Sequence, residues 1–240
     1  MGKLKQLTDH IYYLPFEKET DRPNLYYIKG EDFSLAVDAG NSGKQTEKFY
    51  EALGEAGFPL PSLTVVSHWH WDHTFGLHAV KGLTLSSELT IEKLKKVQQW
   101  QWTVDAMKER ERTGEDIPFC TECILKEYPD LNEIKVALPK MTFSGKMKLD
   151  LGGLEVILEQ RPSTHSLDSV FVYVPSEKVL IVEDADCEDF YHNNIYRKEL
   201  LTDMTEYFKS LDYVYHCLGH ADAESKEFAL QRLSEVTCVE

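Results

Sequence analysis

The sequence predicts an α+β protein in which sheets and helices pack as layers. Short β-rich runs begin the chain and resume after residue 142, and helical periodicity follows each group of strands. The order lacks a regular alternation of single strands with single helices, which argues against a pure βαβ repeat. No internal repeat, low-complexity tract or linker divides the 240 residues, so we expect a single domain over residues 1–240.

The first half is expected to contain three strands, then a helix and a further strand. The strands are short runs rich in Ile, Tyr, Leu and Val, and turn residues separate them. Gly57 and Pro59 end the helix. The last strand is a continuous apolar run, which is typical of a buried strand. The predicted ranges, in order, are 11–14, 25–28, 33–37, 44–56 and 63–66.

The middle of the chain is expected to be helical and then irregular. Apolar side chains recur at steps of three or four residues over 88–112, which predicts helical structure. Pro118, Pro129 and Pro139 interrupt the stretch 113–142, so we expect that stretch to lack regular structure.

Two hairpins are predicted in the second half. Gly152 and Gly153 mark the turn of the first hairpin, and Pro175 begins the turn of the second. The predicted strands of these hairpins are 148–151, 154–158, 170–174 and 179–182. A helix, a strand and a last helix are then expected at 200–211, 213–217 and 224–236.

Composition narrows the functional classes. The chain carries 26 Lys and Arg against 41 Asp and Glu, a net charge of −15, which argues against nucleic acid as the main partner. No apolar run approaches the length of about 18 residues that a membrane span needs. The N-terminal residues contain no apolar signal segment, and five scattered cysteines fit a reducing compartment. We therefore expect a cytoplasmic protein without a membrane partner.

The strongest chemical signal is the motif His68-x-His70-x-Asp72-His73, which follows the buried strand at 63–66. Imidazole nitrogens and carboxylate oxygens are the ligands that suit zinc and similar divalent metals. Alternation places His68 and His70 on one side of an extended segment, and the turn that follows can bring Asp72 and His73 to an adjacent position. These four residues can therefore serve two neighbouring ions.

Together with three later residues, this motif resembles the metallo-β-lactamase superfamily. His165 lies between two strands, Asp184 follows an apolar strand and His220 follows the last strand, each where the family places a ligand. The resemblance extends from about residue 7 to residue 225. It implies a four-layer αββα sandwich of two similar halves, with metals at one edge between the sheets. It also makes the segment at about 88–142 a mainly helical insertion, longer than the family core needs.

The resemblance implies a binuclear metal centre, with zinc as the first choice and iron or manganese as alternatives. The implied ligands are His68, His70 and His165 for one ion, Asp72, His73 and His220 for the other, and Asp184 as the bridge between them. Asp38, at the end of a strand, matches a family position that orients a ligating imidazole. The alternative for Asp38 is an ordinary turn residue.

The implied activity is metal-dependent hydrolysis. Two ions that share a water lower its pKa towards about 7, so that a metal-bridging hydroxide forms at neutral pH. The hydroxide would cleave an ester, thioester, lactone, amide or phosphodiester of a small molecule, and Asp72 would relay a proton to the leaving group. Oligomeric state stays open, with a homodimer as one option.

Other branches of the family keep two alternatives open. The glyoxalase II and lactonase branches share all seven ligands. The persulfide dioxygenase branch keeps the same motif around a single iron, so an oxidoreductase is one alternative to hydrolysis. The other is a metal-binding protein without catalysis.

Several residues depart from the family pattern and have open roles. Glu183 stands where the family usually has glycine before the bridging aspartate. Asp168 is either a solvated loop charge or a source of negative potential at the mouth of the site. Trp69 and Trp71 either pack against neighbouring loops or line the substrate channel. Trp100, Trp102 and Met107 either dock a helix or cover the active site. Tyr191 and His192 are candidates for residues at the mouth of the site.

Overall fold

The computed structural model describes residues 3–239, and most of its strands form two large sheets. The first sheet has seven strands in chain order, antiparallel at its start and parallel from β4 onward. These strands are β1 (Lys5–Gln6), β2 (Ile11–Leu14), β3 (Leu25–Lys29), β4 (Ser34–Val37), β5 (Leu63–Val65), β6 (Leu83–Ser87) and β7 (Met141–Phe143).

The second sheet has six strands in the order β14-β13-β11-β10-β9-β8. They are β8 (Lys146–Asp150), β9 (Glu155–Gln160), β10 (Val170–Val174), β11 (Val179–Glu183), β13 (Tyr215–Leu218) and β14 (Glu224–Ser225). Both predicted hairpins are confirmed: β8 pairs with β9 and β10 with β11, each antiparallel. Gly152 and Gly153 turn the first hairpin at φ of 90° and 75°, which glycine adopts without a steric cost. A separate parallel pair joins β12 (Tyr196–Arg197) to β15 (Cys238–Val239).

Apolar side chains define four layers. One face of each sheet meets the other in a central core, to which Val37 and Val65 contribute from the first sheet and Val172 and Ile181 from the second. The outer face of the first sheet packs on α1 (Gly43–Glu55). The outer face of the second packs on α6 (Lys198–Ser210) and α7 (Lys226–Ser234). The α+β class and the αββα sandwich are thus confirmed.

The helical segment, residues 88–127, differs from the prediction. It contains α3 (Glu88–Val97), α4 (Val104–Thr113) and α5 (Pro118–Glu127), so the helical structure predicted over 88–112 is present but is divided between two helices. The break has a local cause, because the Thr103 side chain caps the amide of Ala106 and starts a new helix. The irregular stretch predicted from 113 is partly wrong. Pro118 occupies the first turn of α5, where the missing N–H costs no hydrogen bond.

Strand ends bring the chemistry-bearing loops to one edge of the sandwich. The carboxyl end of β5 leads into the motif at 68–73, and the short helix α2 (Trp71–Thr74) forms its second part. The carboxyl ends of β11 and β13 lead to Asp184 and His220, and the loop between β9 and β10 carries His165. None of the helices within residues 3–239 is long and apolar enough to cross a membrane.

Candidate metal centre

The structure brings the seven candidate ligands into two adjacent groups. The three-histidine cluster contains His68, His70 and His165, and the mixed cluster contains Asp72, His73, Asp184 and His220. Within each group the ligand atoms lie within 4.8 Å of one another. Six of the seven residues are buried, and His220 is partly exposed. The turn after His70 therefore directs the two parts of the motif to different groups, as the alternation predicts.

The three-histidine cluster points three ring nitrogens at a common centre. Nδ1 of His70 lies 3.0 Å from Nε2 of His68 and 2.9 Å from Nε2 of His165. The opposite nitrogens of the two outer rings are hydrogen-bonded to the protein. Nδ1 of His165 donates to the carbonyl of Glu188 at 3.0 Å, and Nδ1 of His68 lies 2.9 Å from the Ser67 hydroxyl.

These outer bonds determine which nitrogen carries the proton. A carbonyl only accepts, so the His165 proton is on Nδ1 and the Nε2 lone pair faces inward. The Ser67 hydroxyl donates to Oδ2 of Asp38 at 2.7 Å, so it accepts from His68, whose Nε2 lone pair also faces inward. A proton on Nδ1 of His70 can satisfy only one of these lone pairs, whereas a cation would satisfy all three. The cluster therefore fits a metal ion.

The mixed cluster centres on two carboxylates. Nε2 of His73 lies 3.0 Å from Oδ2 of Asp72 and 3.0 Å from Oδ2 of Asp184. Nε2 of His220 lies 3.1 Å and 3.4 Å from the same two oxygens. Two imidazole nitrogens and two carboxylate oxygens are a donor set suited to zinc.

Asp184 lies between the two clusters. Besides its contacts in the mixed cluster, its Oδ2 is 4.0 Å from Nε2 of His165. The backbone at Glu183, the residue before it, brings Asp184 close to both clusters. Glu183 has a φ of 52°, and the pairing of β11 with β13 shifts register there. Glu183 thus adopts the left-handed conformation for which glycine is the usual residue.

Asp38 orients the mixed cluster from behind. Its Oδ2 accepts from Nδ1 of His73 at 2.7 Å, so that Nε2 of that ring would be the atom that binds a metal ion beside Asp72 and Asp184. Its Oδ1 accepts from the amide of Ser67 at 2.7 Å. Because the Ser67 hydroxyl in turn contacts His68, one buried aspartate fixes rings in both clusters. This matches the supporting role expected from the sequence, rather than that of a turn residue.

In the three-histidine cluster, electrostatics favour the neutral form of the imidazole, which is the form that binds metal. Burial and the neighbouring imidazoles hold the pKa of His68 and His70 well below the usual value, so both rings are neutral. In the mixed cluster, burial raises the pKa of Asp184 but the adjacent His220 and His73 outweigh it and hold that pKa well below the usual range. The carboxylate is therefore ionised, as a metal ligand must be.

Two carboxyl groups near the centre behave differently from the ligands. Both oxygens of Glu183 are buried and have no hydrogen-bond partner among the described residues. Burial and the adjacent Asp38 raise the pKa of Glu183 well above the usual value. Asp21, which the sequence did not single out, lies 3.4 Å from Nδ1 of His220, and burial and Asp72 raise its pKa to about 7.

The solvated loop charge expected for Asp168 is wrong, because its carboxyl group is buried, and negative potential at the mouth stays a prediction. Asp168 is 2% exposed, and it accepts hydrogen bonds from Ser166 at 2.5 Å and from Thr90 at 2.7 Å. Thr90 is in the first turn of α3, so Asp168 ties the helical segment to the loop of His165.

Two of the four tryptophans pack in an apolar cluster, and the other two line a cavity beside the three-histidine cluster. Trp71 packs in the apolar cluster of the helical segment with Met107 and Phe75, and Trp102 contacts the same cluster. Trp69 and Trp100 line the cavity, as do the mouth candidates Tyr191 and His192. The rings of Trp69 and Tyr191 both lie beside His70, with centroids 4.7 Å and 5.2 Å from it.

Comparison with known proteins identifies the class. The family model described as the metallo-beta-lactamase superfamily matches residues 20–220. The chain therefore belongs to the metallo-β-lactamase superfamily. A search among curated proteins found no significant match.

Solved structures with the same fold have low sequence identity. A metallo-beta-lactamase from Pontibacter korlensis is 14% identical, with a TM-score of 0.67 over 98% of this chain and 100% of that one. The DIM-1 metallo-beta-lactamase is 15% identical, with a TM-score of 0.64 over 98% of each chain. The sec-alkylsulfatase Pisa1 from Pseudomonas sp. is 13% identical, with a TM-score of 0.68 over 98% of this chain. The chain spans 40% of that sulfatase.

Proposed function

We propose that this protein is a binuclear metal-dependent hydrolase, with zinc as the metal that its ligands fit best. The observation that carries the proposal is the convergence of seven nitrogen and oxygen donors into two adjacent buried groups that share Asp184. Membership of the superfamily supports it. The named neighbours are β-lactamases and a sulfatase, which are hydrolases, although their low identity shows the fold alone.

The residues present would hold one ion through the three-histidine cluster and the other through Asp72, His73 and His220, with Asp184 between them. Divalent ions supply Lewis acidity in such a site, which polarises an ester, amide or phosphoryl oxygen and lowers the pKa of water towards about 7. The protein contributes fixed geometry, because Asp38, Ser67 and the Glu188 carbonyl hold the rings with their lone pairs inward.

We assign the proton transfer to Asp72. Its Oδ2 faces both imidazoles of the mixed cluster, while its Oδ1 forms no hydrogen bond in the described part of the chain. The mixed cluster holds the pKa of Asp72 well below the usual range, since His73 and a hydrogen bond from His220 outweigh the effect of burial. A carboxylate that is ionised at rest can take a proton on Oδ1 and pass it to a departing group.

The substrate that we propose is a small molecule that enters through a cavity beside the three-histidine cluster. The helical segment forms part of its wall, so we propose that residues 88–142 are an insertion into a single domain that shapes the substrate site. All five cysteines are free, which supports the further proposal that the protein works in a reducing compartment such as the cytoplasm.

Two measurements test the proposal. One is metal analysis of protein purified without oxygen, and the other is an activity assay with a panel of ester, thioester, lactone and phosphodiester substrates. We expect two zinc ions per chain and hydrolysis of at least one substrate class. His165→Ala should lose the ion of the three-histidine cluster and the activity while keeping its circular dichroism spectrum. His10→Ala, which removes a half-exposed histidine outside both clusters, is the matched control.

Two results would overturn the proposal. Full metal content and activity in His165→Ala would show that the ligand assignment is wrong. A single iron per chain, with oxygen uptake on a persulfide and no hydrolysis, would make the protein a mononuclear oxidoreductase instead.

A further inference from the structure

A cavity of about 280 Å³ adjoins the three-histidine cluster. His70 and His165 form its inner wall, so a molecule bound there lies directly beside the candidate metal site. Aromatic and aliphatic side chains cover much of the remaining wall: Trp69, Trp100, Tyr191, Val97, Leu167 and Leu200. The cavity therefore suits a ligand with an apolar body.

One face of α3 supplies the charge of this cavity. Lys93, Lys96, Val97 and Trp100 all line it. They lie at positions i, i+3, i+4 and i+7, which share one side of a helix, although Trp100 falls just after its last turn. Along this wall the two cations come first and the two apolar side chains follow.

Lys93 and Lys96 are cations without a carboxylate partner among the described residues. The Lys93 ammonium lies 5.6 Å from the centre of the Trp69 ring and makes no ion pair. By contrast, the third cation of the wall, Arg197, is bound to Asp189 at 3.0 Å. The acids of the wall are that Asp189 and Glu115, so its cations outnumber its acids by one, and the buried carboxyl group of Asp168 also lies within electrostatic reach of Lys93.

The position of these lysines is fixed relative to the metal site. Asp168 bonds Thr90 in the first turn of α3 and Ser166 in the loop that carries His165. The helix that presents the lysines is thus anchored to one of the candidate ligand loops. Such anchoring reduces the entropy lost when a ligand spans both groups.

We propose that this cavity is a subsite for an anionic group of the substrate, recognised by Lys93 and Lys96. The substrate class is a hydrolysable compound, such as an ester, thioester or lactone, with an apolar or aromatic body and a carboxylate, sulfonate or phosphate. The anionic end binds the lysine face of α3, the body lies against Trp69 and Trp100, and the scissile bond lies beside His70 and His165. This assignment rests on the proposed hydrolase function for its catalytic part, but not for its binding part.

Ligand binding tests the subsite without any reaction. Nitroaromatic compounds quench tryptophan fluorescence, and two tryptophans line the cavity, so quenching reports occupancy. 4-Nitrobenzoate should bind more tightly than its neutral analogue 4-nitrobenzamide. Lys93→Gln with Lys96→Gln should weaken 4-nitrobenzoate by about tenfold and reduce the preference over the amide, because the variant loses two charge-assisted contacts. Both metal-loaded and chelator-treated protein should show this loss.

Lys95→Gln with Lys108→Gln is the matched control. It removes the same number of positive charges from the helical segment, but neither lysine lines the cavity. We expect unchanged binding of both nitroaromatics in this variant. Equal losses in the control and in the variant of Lys93 and Lys96 would show a general effect of net charge, and would overturn the subsite.

Kinetics separate failure of the subsite from failure of the hydrolase proposal. The variant of Lys93 and Lys96 should lower the ratio of kcat/KM for mono-4-nitrophenyl glutarate over that for 4-nitrophenyl acetate by about tenfold. If the enzyme cleaves esters but this ratio and the binding preference do not change, the subsite is wrong and the hydrolase stands. If no panel substrate is cleaved but the binding preference depends on the lysines, the hydrolase proposal fails and the subsite stands.

Discussion

The strand-end loops and the helical segment differ in how their side chains are fixed. In the loops, hydrogen bonds orient the rings of candidate ligands, as with Asp38 and His73 at 2.7 Å. In the helical segment, apolar packing around Met107 dominates, and Arg110 stacks between Trp100 and Trp102. No candidate ligand comes from residues 88–127. The difference teaches that the candidate ligands and the helical segment are held by different interactions, which fits the proposal that chemistry and substrate choice belong to separate parts of the chain.

Asp184→Asn should have the largest effect on turnover. An amide oxygen bridges metals poorly and carries no charge, so at least one ion should be lost and kcat should fall by about 100-fold or more, since changes outside the ligands alone cost 10- to 100-fold. Metal content, circular dichroism and turnover measure this. Glu183→Gln is the matched control, because that carboxyl group has no hydrogen-bond partner among the described residues. A fully active Asn variant with two ions would show that Asp184 is not the bridge.

Asp38→Asn should reduce turnover about 10- to 100-fold without removing a ligand. Asp38 accepts three hydrogen bonds, from His73, the Ser67 hydroxyl and the Ser67 amide. The amide group of asparagine would place a donor against one of these donors, so a ring in the clusters loses its orientation. Titration with zinc should show weaker binding. Unchanged zinc affinity would mean that the imidazoles do not need Asp38 for their orientation. That result would contradict the proposed difference between the two regions.

Asp168 connects the helical segment to the loop that carries His165. Its variants therefore test whether these two regions act independently. Asp168→Ala leaves the buried Ser166 hydroxyl unpaired and removes one of two hydrogen-bond partners of the Thr90 hydroxyl, and it should lower the free energy of unfolding by about 1–3 kcal/mol. Substrate selectivity should change by a few fold while metal content does not. Asp168→Asn should be milder, because both hydroxyls can rotate to pair with an amide. Chemical denaturation and zinc analysis of both variants give the answer, and loss of metal in either would contradict the separation.

Met107→Ala should have the smallest effect on turnover and a large one on stability. The side chain is fully buried in the helical segment, and removing it leaves a cavity that costs about 2–5 kcal/mol of unfolding free energy. Zinc content below the melting temperature should equal that of the wild type. A metal-depleted variant would show that the packing of this segment supports the ligand loops directly.

Local patterns predicted the parts of the structure that depend on neighbours in sequence. The hairpin at Gly152 and Gly153 follows from turn chemistry, and the ligand motif follows from spacing within six residues after a buried strand. The breaks in the helical segment were missed because apolar periodicity continues through Trp100, outside the helix. The cap at Thr103 was the available signal.

Long-range contacts explain what could not be predicted at the site. The role of Asp168 depends on Thr90, 78 residues earlier, and no local pattern encodes that pairing. Lys93 and Lys96 line a cavity together with His70, a placement that depends on the fold and not on local sequence. Asp38 was predicted only because the family resemblance assigned its position.

The clusters join parts of the chain that are far apart. His70 and His165 are 95 residues apart, and Asp72 and His220 are 148 residues apart. An ion held by such pairs acts as a reversible cross-link between the two sheets, and it binds the native chain in preference to the unfolded one. By mass action, free metal at about 100 times its dissociation constant would add about 2.7 kcal/mol to native stability. The melting temperature of this protein would then depend on the metal supply of its surroundings, and starvation for the metal would reduce its abundance as well as its activity.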